Sequence, residues 1–188
     1  MNAYHRRYCR SAKWAHQMES TVLPWVTRDY ELGDDLLEIG PGPGMATNLL
    51  KDRVPTVTAL EIDPALATSL KERMAGSNVT VVEGDATAMP FDDNRFSSAI
   101  SMTMLHHVPS AELQDRLLRE TYRALRPGGV FVGSDSASSL RFRVIHLFDT
   151  CVPVDPKTFG QRLEAAGFTE AAIRAGKGAV RFRAKKPA

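Results

Sequence analysis

Leu36-Leu37-Glu38-Ile39-Gly40-Pro41-Gly42-Pro43-Gly44 decides the reading of this chain: an apolar run breaks at three glycines spaced two apart, and Met45-Ala46-Thr47-Asn48-Leu49-Leu50 follows. The pattern is that of a buried strand, a tight loop and a helix, the opening unit of a doubly wound α/β domain. A loop without Cβ atoms turns sharply and lets a ribose or a carboxylate approach the main chain. The helix beginning near Gly44 points its free N–H groups and positive end at whatever is seated there. Many nucleotides accept such a seat. A dinucleotide fingerprint, however, requires G-x-G-x-x-G or A, and both frames fail: Gly40-x-Gly42 leads to Met45, and Gly42-x-Gly44 leads to Thr47. That spacing argues against NAD.

Working outward, Glu38 places a carboxylate near the end of a buried strand, which is costly unless it is paired or reaches solvent or a charged ligand. An ammonium would satisfy it, and so would backbone amides at a strand end. Thr56-Val57-Thr58-Ala59-Leu60 is a second strand ending at Glu61, and Asp63-Pro64 supplies an N-cap and first-turn proline for a helix running to about Met74. Glu61 lies 17 residues after Gly44, close to the ~20 at which a second-strand acid grips ribose hydroxyls. Val79-Thr80-Val81-Val82 is a third strand running into Glu83-Gly84-Asp85-Ala86. Met89-Pro90-Phe91-Asp92 turns the chain before a fourth strand, Phe96 to Met102.

Leu37-Glu38-Ile39-Gly40-x-Gly42-x-Gly44, followed by acids at the second and third strand tips, resembles the class I S-adenosylmethionine-dependent methyltransferases, whose cofactor carries an amino group and a ribose. The resemblance runs from about Leu36 to Lys186. It implies a three-layer, Rossmann-like doubly wound α/β sheet of seven strands, mostly parallel, with an antiparallel C-terminal hairpin between Phe168 and Lys186 broken at Gly176-Lys177-Gly178. It further implies a seat for S-adenosyl-L-methionine, and for the product S-adenosyl-L-homocysteine, made by Glu38, Gly40, Pro41, Gly42 and Gly44. Glu61, Ile62, Asp85, Ala86 and Met102 complete that seat, Asp85 accepting from the adenine amine and Ala86 facing the ring.

The likeness divides between two kinds of methyltransferase. Glu38 to Gly44 with Leu60-Glu61-Ile62-Asp63-Pro64 is similar to the ribosomal RNA adenine dimethylases. Those enzymes carry an Asn-Leu-Pro-Tyr type motif after strand four, where this chain reads Ser101-Met102-Thr103-Met104-Leu105. Asp92, Phe96, His106-His107-Val108 and Pro127-Gly128-Gly129 resemble the small-molecule, type 11-like enzymes instead. The expected function is therefore methyl transfer to a small molecule, with RNA base methylation or a non-catalytic cofactor-binding module as alternatives.

His106 and His107 follow strand four, where open α/β sheets bind ligands. Adjacent histidines without an acid or cysteine cluster are not zinc spacing, so no metal is expected. One of them can serve as a base, and His106 is taken as the pocket and catalytic residue. Residues 4–26 read as a helix, with Pro24 ending or kinking it. Within residues 1–30, expected to lie over the cofactor mouth, Tyr8 and Trp14 are candidate substrate-side residues or plain packing. Residues 134–156 read ambiguously, since Leu140, Phe142 and Val144 alternate like a strand while Leu140, Val144 and Phe148 recur like a helix. The family places a substrate lid there. Ser110 caps a helix that Pro127-Gly128-Gly129 stops before a fifth strand, Val130 to Gly133. Asp155-Pro156 opens a further helix ending at Gly167. Arg181, Arg183 and Lys185 alternate on one face, read as a solvated sheet edge.

With 188 residues a single domain over 1–188 is the default. Lys plus Arg at 24 against Asp plus Glu at 22 leave +2, which gives no push toward nucleic acid or an anionic membrane. Two cysteines far apart fit a reducing cytoplasm. The basic stretch from Met1 to Trp14 lacks the apolar run of a signal peptide, and no run approaches a membrane span. A monomer or homodimer acting on a small-molecule acceptor is expected.

Overall fold

The computed structural model describes residues 11–28, 31–137, 149–176 and 178–188. In chain order these form α1 (Ala12–Gln17), a π turn over Met18–Val22, α2 (Leu23–Thr27), β1 (Asp35–Ile39), α3 (Met45–Leu50), β2 (Thr56–Glu61), α4 (Pro64–Arg73) and β3 (Val79–Glu83). β4 (Phe96–Met102), a 3-10 turn at Leu105–His107, α5 (Ala111–Ala124), β5 (Leu125–Ser136), α6 (Phe159–Ala165), β6 (Thr169–Gly176) and β7 (Ala179–Lys185) follow.

The sheet order is β3-β2-β1-β4-β5-β7-β6. β1 to β5 are parallel to one another, and β7 runs antiparallel to both β5 and β6. The order reverses between β1 and β4, which leaves a crevice beyond their carboxyl ends. Near-continuous apolar strands such as Leu36-Leu37 are needed because helices cover both faces. On one face Met18, Leu23 and Val26 pack with Leu36, Ile100 and Val132. On the other, Leu117 and Leu163 pack with Phe131 and Phe182.

The predicted start signals operate where the chain was expected to use them. Ser110 Oγ accepts the Leu113 N–H at the start of α5, and Asp63 Oδ1 accepts the Ala65 and Leu66 N–H groups at the start of α4. Three boundaries and one strand's place in the sheet differ. α5 stops at Ala124, and Pro127-Gly128-Gly129 lies inside β5 as a bulge: the pairing jumps from Phe96↔Leu125 to Ser98↔Val130. α6 starts at Phe159 rather than at Asp155-Pro156, because the Asp155 carboxylate is spent on the Lys157 N–H of a preceding turn. Pro24 falls in the first turn of α2 after the π turn, which absorbs the missing N–H donor without ending the helical run. Finally, β7 is an inner strand. Arg181 is only 4% exposed, donates to the Val26 carbonyl at the end of α2, and lies over the Trp25 ring. The solvated edge expected for Arg181 is therefore wrong at that position, since a helix covers this face of the sheet.

Candidate functional site

The loop after β1 is shaped by glycine conformations that other residues rarely adopt. Gly44 caps α3 with φ 78°, and a Cβ there would stand 2.4 Å from Leu70 Cδ1. Gly42 has φ 55° with nothing within 4 Å of where its Cβ would point, so its backbone faces open space. Glu61, at the tip of β2, fixes this loop from below. Its two carboxylate oxygens accept the Gly42 N–H and the Asp63 N–H, each at 2.9 Å. One carboxylate thus ties the glycine loop to the start of α4.

Glu38, one strand over, is 2% exposed, and the Thr47 hydroxyl of α3 donates to it at 2.6 Å. Burial pushes its carboxyl up to about 7, against the Thr47 hydrogen bond and with the Glu61 carboxylate adding to the rise. At the tip of β3, Asp85 accepts the Thr87 N–H at 2.8 Å, which turns the chain back toward the sheet. Met102 is buried at the end of β4.

These tips surround one cavity of about 420 Å³. Glu38, Gly40, Pro41, Gly42, Glu61 and Ile62 line it, as do Asp85, Ala86 and Met102, so nine of the ten expected cofactor-seat residues share a wall. Gly44 is not among the lining residues, although its neighbours Pro43 and Met45 are. Trp14 of α1 lines the cavity; Tyr8 lies outside the described residues. Of the segment 134–156, residues 134–136 complete β5, and Asp149 and Thr150 reach the cavity. The strand-or-helix alternative at 140–148 lies outside the described residues.

The histidine pair is corrected. His106 is 1% exposed and points away from the cavity, its Nδ1 2.5 Å from Asp135 Oδ1 and its backbone N–H donating to Asp135 Oδ2. His107 lines the cavity instead, with its ring centroid 4.2 Å from that of His106. Successive side chains of a 3-10 turn diverge by about a third of a revolution, and here that divergence sends His106 to Asp135 and His107 to the cavity. The sequence reading also passed over Gln114. Its amide nitrogen donates to the Leu105 and Val152 carbonyls at 2.9 and 2.8 Å, clamping the segment after residue 148 to the histidine turn. An available signal was a glutamine among Leu117, Leu118 and Thr121 on the buried face of α5.

A sequence profile described as a methyltransferase domain matches residues 37–133, more than half of the chain. The chain belongs to the class I S-adenosylmethionine-dependent methyltransferase family. Among curated methyltransferases, a probable ribosomal RNA small subunit methyltransferase A of Natronomonas pharaonis is 39% identical over 102 residues, covering 52% of this chain and 36% of that one. A chloroplastic 2-methyl-6-phytyl-1,4-hydroquinone methyltransferase 2 of Oryza sativa subsp. japonica is 33% identical over 97 residues, covering 50% of this chain and 27% of that one. The matched stretch thus spans about a third of these relatives' length. A crystal structure of a SAM-dependent methyltransferase from Aquifex aeolicus superposes with a TM-score of 0.77 at 18% identity, covering 98% of each chain. That likeness shows the methyltransferase fold. Among the described residues no helix is long and apolar enough to cross a membrane.

Proposed function

We propose that this chain transfers the methyl group of S-adenosylmethionine to a small-molecule acceptor. The observation that carries the reading is the shared cavity: acids from the tips of three consecutive parallel strands and a glycine loop form one side, and an apolar wall forms the other. The chemistry of the site fits the cofactor. Glu61 would accept from ribose hydroxyls while still holding Gly42 and Asp63. Glu38, a buried carboxyl bonded to a hydroxyl, would take the cofactor's ammonium as its counter-charge. Asp85 and Ile62 would flank the adenine.

When bound, S-adenosylmethionine supplies a methyl carbon activated by a sulfonium, which an electron pair of the acceptor displaces in line. The chain's own work is to align the acceptor, exclude water and, for a protonated nucleophile, take a proton. His107 is the imidazole placed to take it, with the His106–Asp135 pair fixing the turn behind.

Two features favour a small molecule over a nucleic acid. The end of β4 and the residues after it bring Met102, Thr103 and Met104 to the cavity, with no side-chain amide among them to hold the amino group of a flat base, and the net charge is only +2. Calorimetry with S-adenosylhomocysteine and with NAD tests the cofactor, and tight NAD binding without the former overturns the reading. A methylation screen of phenols, thiols, amines, carboxylic acids and an unmodified ribosomal RNA fragment tests the acceptor. Transfer to the RNA alone reverses the assignment.

A further inference from the structure

Thr103, the residue after β4, has a backbone φ of 54°, in the left-handed region that a branched side chain rarely enters. Glycine or asparagine takes that conformation at less cost. Two hydrogen bonds hold the threonine there: its N–H donates to the Ser134 carbonyl of β5 and its hydroxyl donates to the Met102 carbonyl, each at 2.7 Å. Thr103 also lines the cavity. Backbone strain that neighbouring contacts maintain beside a site points to a use at that site.

The use is visible in the next residue. Met104 lies across the glycine loop, where a Cβ on Gly40 would collide with Met104 Cγ and stand 3.3 Å from its Sδ. Met104 also begins the histidine turn, its carbonyl accepting the His107 N–H at 2.9 Å. The loop under Met104 has supports of its own. Gly40 N–H donates to the Leu60 carbonyl, Gly42 N–H donates to Glu61, and Arg73 Nη2 donates to the Pro43 carbonyl at 2.7 Å. The loop is therefore the fixed member of the contact, and the histidine turn is the member placed by it.

We propose that Thr103 is a positioning residue: its left-handed backbone seats Met104 on Gly40 and so fixes the distance between the cofactor loop and His107. This deepens the function proposed above and rests on it, since an acceptor would sit in that gap, between the methyl donor and the base.

The test is nuclear magnetic resonance on the full chain, uniformly labelled with carbon-13 and nitrogen-15, free and saturated with S-adenosylhomocysteine. In the parent, a nuclear Overhauser cross-peak is expected between the Met104 γ protons and the Gly40 α protons in both states, and the His107 imidazole signal is expected to shift on binding. Thr103→Val keeps the branching and loses the hydroxyl bond. It is expected to lose the cross-peak and most of the His107 shift, with S-adenosylhomocysteine affinity within about threefold of the parent. Thr103→Asn, which tolerates the left-handed region, is expected to keep both signals. A cross-peak undiminished in Thr103→Val overturns the proposal, as does its loss in Thr103→Asn. A larger fall in S-adenosylhomocysteine affinity also overturns it, because Thr103 would then belong to the cofactor seat. Should Thr103→Val not fold, Thr103→Gly, free to leave the left-handed region, replaces it with the same expected loss and the same overturning results. A parent that fails to bind S-adenosylhomocysteine overturns the cofactor reading instead; the free-chain cross-peaks of parent and variants then judge the placement of Met104 by themselves.

Discussion

The two sides of the cavity are built on different plans. The side formed by β1, β2 and β3 is local. Each strand ends in an acid or a glycine loop, with a helix following β1 and β2 within a few residues, and the polar contacts are backbone N–H groups received by Glu61, Asp63 and Asp85. The side formed by α1, the end of β4, the histidine turn and residues 149–154 is assembled across the chain. Gln114 and His106 join that turn to Val152, and α6 reaches in as Arg162 donates to Gln114 and Asp115. Strand tips keep a cofactor seat constant because the sheet itself fixes their spacing. A wall made of side chains from separate elements changes with any one of them, so it is the side that can be matched to a particular acceptor.

The largest effect expected from breaking this comparison is at His106. His106→Ala removes one member of a buried pair and leaves the Asp135 carboxylate only the backbone N–H groups of residues 106 and 136, at a cost of about 3 to 5 kcal/mol. Urea denaturation should show that loss. A variant that melts like the parent yet loses activity would return His106 to a catalytic role.

On the opposite side the sign reverses. The Glu38 carboxyl stands at about 7 in the folded chain against an ordinary 4.5, so between those values the folded state holds a proton that the unfolded state has lost. Stability therefore falls as pH rises from about 4.5 to 7 and levels off above. The total penalty is on the order of 3 kcal/mol. Glu38→Gln should remove this loss, melting higher than the parent at pH 8 in the free chain, while binding S-adenosylhomocysteine more weakly. A parent chain whose stability is flat across that range would mean the carboxyl is not buried as described.

A third, smaller effect is at Glu61. Its replacement by alanine releases the Gly42 and Asp63 N–H groups and removes a charged acceptor, which should weaken S-adenosylhomocysteine by about 1 to 3 kcal/mol in calorimetry. Unchanged affinity would sever the β2 tip from the cofactor seat. The smallest effect, about 1 kcal/mol of stability, is expected for Gln114→Ala, which takes one donor from each of the Leu105 and Val152 carbonyls. It should raise the acceptor KM while S-adenosylhomocysteine affinity stays put. The reverse pattern would show that the two sides are not separable.

The sheet and the cofactor side were legible because their signals are periodic and short in range. Apolar runs of strand length, glycines, a proline after an aspartate and acids at strand tips each declare themselves within a dozen residues. His106, Arg181 and Asp155 were misread for a common reason: their role depends on what packs against them. An alternating arginine on a last strand resembles an edge until a sheet order places β7 between β5 and β6 and α2 covers Arg181. Two adjacent histidines look equivalent until a 3-10 turn sends one to Asp135 and the other to the cavity. Gln114 showed only as a polar residue on a buried helix face, a position without a stated partner.

By itself, then, the order of residues determined the doubly wound architecture and where its glycine loop and strand-tip acids fall, because backbone conformation and strand burial are set by near neighbours. Only the tertiary structure decided which histidine faces the cavity, which arginine is buried and which apolar side chains meet around the acceptor. Those outcomes depend on contacts between elements up to 155 residues apart, as Arg181 to Val26 is, and no local pattern carries that information.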